Sequence, residues 1–175
     1  MTQARLYPVA PEAADPESLI APLREMAAKA DIAALRLPEA LAAKPGAAKL
    51  VQAAQALNIA VVVENDAGLA ARLKADGVET AGRLATREGF AILGARCGTS
   101  RHEAMSLGEA GADYVAIAPE LIEWWAGLFE IPCVCESPLA PEQAKAAAEA
   151  GADFLVPAMD VWDNPATITL YGLAP

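Results

Sequence analysis

The stretch Ile59-Ala60-Val61-Val62-Val63-Glu64-Asn65-Asp66, followed by Ala70-Ala71-Arg72-Leu73-Lys74-Ala75-Asp76-Gly77-Val78, decides the fold. Ile59–Val63 is a short apolar run rich in β-branched residues, as expected of a buried strand. A helical pattern over 65–74 follows, and Asn65 or Asp66 suits its start, because a short side-chain oxygen can accept from the first free helix amides. The chain then re-enters a strand at Gly77–Thr80. Strand, helix and strand joined by short connections favour a parallel pair with a right-handed crossover.

The alternation continues in both directions. Strands are expected at Leu6–Ala10, Asp31–Leu37, Phe90–Gly94, Asp113–Ala118, Ile131–Cys135 and Asp153–Pro157. Helices are expected at 17–29, 43–57, 83–88, 100–110, 121–129 and 141–150, with a short last one near 163–172. Eight such units close a sheet on itself and remove its edges, so the expected fold is a compact (β/α)8 TIM barrel forming one domain over residues 1–175. An open doubly wound sheet is the alternative.

An internal echo supports the barrel. Ala30-Asp31, Ala75-Asp76, Ala112-Asp113 and Ala152-Asp153 each precede a strand, at intervals of 45, 37 and 40 residues. Each interval spans two βα units, which places the aspartates at the bottom of alternate strands. Conserving the barrel, rather than catalysis, is the role expected there. The alanine-rich helices lose little side-chain entropy and pack close to the sheet.

Composition narrows the functions. The 175 residues carry 23 acidic and 13 basic side chains, a formal charge of −10, with no basic stripe. Such a chain repels phosphate backbones, so neither nucleic acid nor an anionic membrane is expected as a partner. No apolar run reaches the roughly 18 residues of a spanning helix. The start, Met1 to Tyr7, reads as a first strand without an export signal, so a cytoplasmic protein is expected. Cys97, Cys133 and Cys135 form no metal-like pair; Cys133 and Cys135 share one strand face and are expected as buried free thiols.

The same segments resemble the thiamine phosphate synthase and thiazole tautomerase-like barrel family. Ile59 to Asp66 is similar to that family's strand ending in Ile-Asn-Asp-Arg, and Ala75-Asp76-Gly77-Val78 to its Ala-Asp-Gly-Val-His. Ile92-Leu93-Gly94, Gly111-Ala112-Asp113-Tyr114-Val115, Ile131-Pro132-Cys133-Val134 and Gly151-Ala152-Asp153 extend the similarity over nearly the whole chain. The resemblance implies a magnesium-assisted joining of a hydroxymethylpyrimidine diphosphate to a thiazole phosphate, with release of diphosphate. It points to Asp66 and Glu64 as metal ligands, with Asn65, Arg36 and Arg96 toward the diphosphate. Asn65-Asp66 aligns with the family's Asn-Asp directly, or Glu64, Asn65 and Asp66 lie over its Asn-Asp-Arg; both placements lose the arginine.

Other positions depart from the pattern. Glu79 stands where the family has histidine, and no lysine-rich loop follows Pro119. The glycine pair after the seventh strand is replaced by Ser137-Pro138, and proline has no N–H to offer an anion.

In this fold the site lies at the C-terminal ends of the strands. That gathers Arg36, Glu64, Asn65, Asp66, Glu79, Arg96, Glu120, Glu136 and Asp160 around one mouth. Glu136 and Ser137 join the substrate-binding candidates. Glu79 and the sole histidine, His102, are the candidates for proton transfer, as thiazole phosphate isomerisation would require. A noncatalytic small-molecule-binding or regulatory barrel is the competing expectation, favoured by the missing phosphate glycines, lysine-bearing loop and second clear metal ligand; without a metal the carboxylates at the mouth also repel a phosphorylated ligand. Trp124, Trp125 and Phe129 cannot share one narrow helical stripe, so one tryptophan is expected on the barrel and its neighbour at a homodimer contact.

Overall fold

A computed structural model describes residues 3–175. Met1 and Thr2, at the start of the expected export-free segment, lie outside the described residues. The strands are β1 (Arg5–Leu6), β2 (Ala34–Leu37), β3 (Ala60–Glu64), β4 (Gly77–Ala81), β5 (Ile92–Gly98), β6 (Tyr114–Ile117), β7 (Cys133–Leu139) and β8 (Phe154–Pro157). They form one parallel sheet in the order β1-β8-β7-β6-β5-β4-β3-β2. Parallel bridges Leu6–Ile32 and Val9–Arg36 join its two ends, which makes the sheet a TIM-like barrel and excludes the open alternative. The first strand is shorter than expected because Pro8 has no amide to donate, although its carbonyl still accepts from Arg36.

The helices are α1 (Ile20–Ala27), α2 (Glu39–Ala42), α3 (Ala47–Ala56), α4 (Ala67–Leu73), α5 (Arg101–Glu109), α6 (Ile122–Ala126) and α7 (Pro141–Glu149). The expected helix at 43–57 is α3, preceded by the single turn α2. Residues 163–172 form a 3-10 turn (Pro165–Tyr171) instead of an α-helix. The expected helix at 83–88 is absent. Six residues between Gly82 and Gly89, both with left-handed φ, give too few bonds to offset the cost of nucleation. Arg87 instead reaches the Gly111 carbonyl and Asp113, tying this loop across the bottom of the barrel. Among the described residues no helix is long and apolar enough to cross a membrane.

Side chains alternate across the strands. One set packs between sheet and helices and holds Val61, Val63, Val115, Cys133, Cys135 and Leu155. The other fills the barrel with Tyr7, Ala34, Tyr114, Ala116, Val134 and Val156. Cys133 and Cys135 therefore do share a face, buried and unpaired. Gly94 on β5 is required by the ring of Tyr114: a Cβ there would stand 2.3 Å from Tyr114 Cζ and Oη. Trp125 is buried and donates to the Ile131 carbonyl, while Trp124 lies further out, under Arg101.

The Ala-Asp echo has a common geometry. Asp76, Asp113 and Asp153 accept through their carboxylates from the amides of Val61, Leu93 and Cys133, at 2.8, 2.7 and 2.9 Å. Each backbone amide of these aspartates donates back to the carbonyl of the same residue. Asp31 departs from the set and pairs with Arg5. All four roles are structural.

Candidate functional site

The strand ends bring five charged side chains together inside the mouth: Arg36 from β2, Glu64 from β3, Glu79 from β4, Arg96 from β5 and Glu136 from β7. Glu64 and Glu79 are register partners, and Gly94 leaves space beside Glu79 for Tyr114 from β6. Glu79 is completely buried. Arg36 Nη1 donates to its Oε1 at 2.9 Å, and Tyr114 Oη donates to its Oε2 at 2.7 Å. Tyr7 Oη lies 3.2 Å from Glu79 Oε2 and 2.7 Å from Tyr114 Oη, so its single proton serves one of these two acceptors.

Glu64 Oε1 lies 3.0 Å from Arg36 Nε and 3.2 Å from Arg96 Nη1. The Arg36 Nε–H is not directed along the first of these approaches. It is a buried donor without a hydrogen-bond partner among the described residues. Glu136 Oε1 stands further off, 4.0 Å from Arg36 Nη1 and 3.8 Å from Arg96 Nε.

Burial works against the Arg36 charge, but Glu79 and the surrounding acids outweigh it and hold the guanidinium more basic than usual. Burial, then Glu79, pushes the hydroxyls of Tyr7 and Tyr114 well above the ordinary phenol value, which keeps both as proton donors. Burial also raises the Glu136 carboxyl, against the pull of Arg36.

The other sequence-predicted residues divide into two groups. Asn65, in a left-handed turn that asparagine tolerates, accepts from Arg96 Nη2 at 3.0 Å and so belongs to the mouth. Asp66 caps α4 by accepting from the Leu69 amide at 2.8 Å. His102 is exposed on the first turn of α5 and takes no part in the ion-pair cluster. Ser137 lies in the bulged end of β7, and Glu120 and Asp160 are exposed on 3-10 turns. Tyr7 and Tyr114 were missed by sequence reasoning. The signal was their alternation: each falls on the inward parity of its strand, the parity that also carries Arg36 and Glu79.

The residues present do not fit a resident magnesium ion held by Glu64 and Asp66. Glu64 is engaged by two guanidiniums, Asp66 by the α4 amide, and no group of three or more acidic, histidine or cysteine side chains among the described residues could hold a metal. Where the sequence led us to expect a helix after β4, a cleft of ≈ 430 Å³ opens beside the mouth, lined by Asn65, Thr80, Arg83 and Thr86 among others. Asn65 connects this cleft to Arg96.

No family model matches the chain. It is 34% identical to a thiamine-phosphate synthase of Rhodospirillum centenum, across 95% of this chain and 93% of that protein. It is 40% identical to a thiamine-phosphate synthase of Erythrobacter litoralis, across 67% of this chain and 68% of the relative. A thiamine phosphate pyrophosphorylase from Pyrococcus furiosus superposes with a TM-score of 0.77 over 97% of this chain and 93% of that one; at 18% identity the likeness is one of fold.

Proposed function

Since the chain belongs to the thiamine-phosphate synthase family, we propose that it acts as a thiamine phosphate synthase-like transferase at the strand-end mouth. It would join a hydroxymethylpyrimidine diphosphate to a thiazole phosphate and release diphosphate. The observation that carries the reading is the pair of guanidiniums, Arg36 and Arg96, fixed side by side next to an open cleft. A departing diphosphate gains negative charge in the transition state, and preorganised cations are what meets such charge. Glu79 and the two tyrosines hold Arg36 in place, and Asn65 and Glu64 hold Arg96. The cleft beside Asn65 has room for a heterocycle, with Thr80 and Arg83 at its wall. The three buried free thiols suit the reducing cytosol.

The test is formation of thiamine phosphate from both substrates by purified protein, with and without magnesium, beside an active synthase. Product that falls about a hundredfold in Arg96→Gln supports the reading. Absence of product from folded protein, with the control working, overturns it.

Two observations favour a second reading, a barrel that binds a small molecule without turnover. The two guanidiniums already face three carboxylates, and Pro138 offers no amide where an anion-binding turn would need one. Metal-independent binding without product is its signature. The isomerase alternative gains no support, because Glu79 is sealed from solvent and His102 stands outside the cluster.

A further inference from the structure

The three carboxylates at the mouth are not equivalent. Glu79 receives direct hydrogen bonds, and Glu64 sits within 3.2 Å of both guanidiniums. The Glu136 carboxylate makes no hydrogen bond among the described residues. Its distances of 4.0 and 3.8 Å to Arg36 and Arg96 are too long for one. Charge alone keeps it facing the pair. The segment that carries it is loosely tied: pairing of β7 with β8 jumps from Cys135–Leu155 to Leu139–Pro157, so Glu136, Ser137 and Pro138 form a bulge. Bulges re-aim a side chain and leave their extra residues outside the ladder. The Arg36 Nη1 that Glu136 faces is already hydrogen-bonded to Glu79, so Glu136 adds no bond of its own to that guanidinium.

We propose that Glu136 is an internal stand-in for a ligand oxyanion: its carboxylate faces the Arg36–Arg96 pair at the place where a phosphate-class anion binds, and ligand and side chain compete for that place. The inference rests on the reading that this mouth takes phosphorylated ligands, and it adds the device that controls access. The exchange keeps the guanidinium pair faced by an anion, because the carboxylate withdraws as the ligand arrives. The bulge lets Glu136 withdraw without breaking the sheet. A tetrahedral oxyanion offers more acceptor positions than the Glu136 carboxylate and can reach hydrogen-bond distance of guanidinium nitrogens that Glu136 meets only at 4.0 and 3.8 Å. The raised Glu136 carboxyl agrees with a group held for its position and not for its own stability.

The experiment is calorimetric titration of inorganic diphosphate, in metal-free buffer, into wild type, Glu136→Gln, Glu136→Ala and the double variant Glu136→Gln/Arg96→Gln. A melting curve for each establishes folding. Removing one like charge about 4 Å from the site should tighten binding about ten- to a hundredfold in both single variants. The double variant should lose that gain. Unchanged or weaker binding in both single variants overturns the proposal, as does no binding in any protein, or tightening that survives loss of Arg96. Turnover is not needed, so absent synthase activity together with the expected tightening would refute only the transferase reading.

Discussion

Replacing Gly94 with alanine should be among the most damaging single-methyl changes in this barrel. The added Cβ would meet Tyr114 Cζ and Oη at 2.3 Å, a contact no real Cβ sustains. The ring cannot yield cheaply, because it is buried and its hydroxyl donates to the sealed Glu79. Overpacking of this kind costs about 1–3 kcal/mol. Displacing Tyr114 also takes a donor from a buried carboxylate, about 1–3 kcal/mol more. A total of about 2–6 kcal/mol lowers the melting temperature by about 4–24 °C in a domain of this size. The check is urea and thermal denaturation of a double-mutant cycle with Tyr114→Ala. Once the ring is gone, Gly94→Ala should cost less than about 1 kcal/mol, leaving a coupling of about 1 kcal/mol or more. If Gly94→Ala alone costs less than about 0.5 kcal/mol, or the same in both backgrounds, the packing argument fails.

Three further outcomes are expected. Arg36→Met leaves Glu79 buried without its cation and should cost about 3–5 kcal/mol in urea unfolding, with part of the loss recovered in Arg36→Met/Glu79→Gln. Burial raises the Glu136 carboxyl, so its contribution to stability is full in acid and lost as pH rises through the raised value. Glu136→Gln should therefore melt higher than wild type at about pH 8, with the gain shrinking toward about pH 4. Burial pushes Cys97 and Cys133 up to about 12 and Cys135 to about 11, so iodoacetamide at about pH 8 should leave all three unlabelled in native protein and label all three in urea, read by mass spectrometry.

Most of the barrel was legible because its strands are apolar runs and every second one is also announced by an Ala-Asp entry. The absent helix at 83–88 was not legible, since Arg83 to Glu88 has acceptable helix formers and only the flanking glycines argue against it. What overrides propensity there is tertiary: Arg87 is drawn to Asp113 and the Gly111 carbonyl, far along the chain. At the site, strand ends predicted that Arg36, Glu64, Asn65, Glu79, Arg96 and Glu136 would share a mouth. Their partners were hidden, because pairing depends on register. Nothing local in the sequence says that Gly94 lies between Glu79 and Tyr114, or that Tyr7 comes round from the first strand to meet them. Asp66 stood equally for a helix cap and a metal ligand, and its Oδ1 accepts from the Leu69 amide as a cap.

The aspartate clamps also bear on how the barrel assembles. Each spans only 15 to 20 residues, from Asp76 to Val61, Asp113 to Leu93 and Asp153 to Cys133. Closing such short loops costs about 2 kcal/mol less in chain entropy than joining β1 to β8 across the length of the protein. The clamped strand pairs should therefore form as early units, with ring closure last. The seam at β1, two residues long and interrupted by Pro8, then becomes the place where the barrel opens first. In hydrogen exchange the amides of Val61, Leu93 and Cys133 should be among the slowest, and those of Leu6 and Tyr7 should exchange through a smaller, local opening.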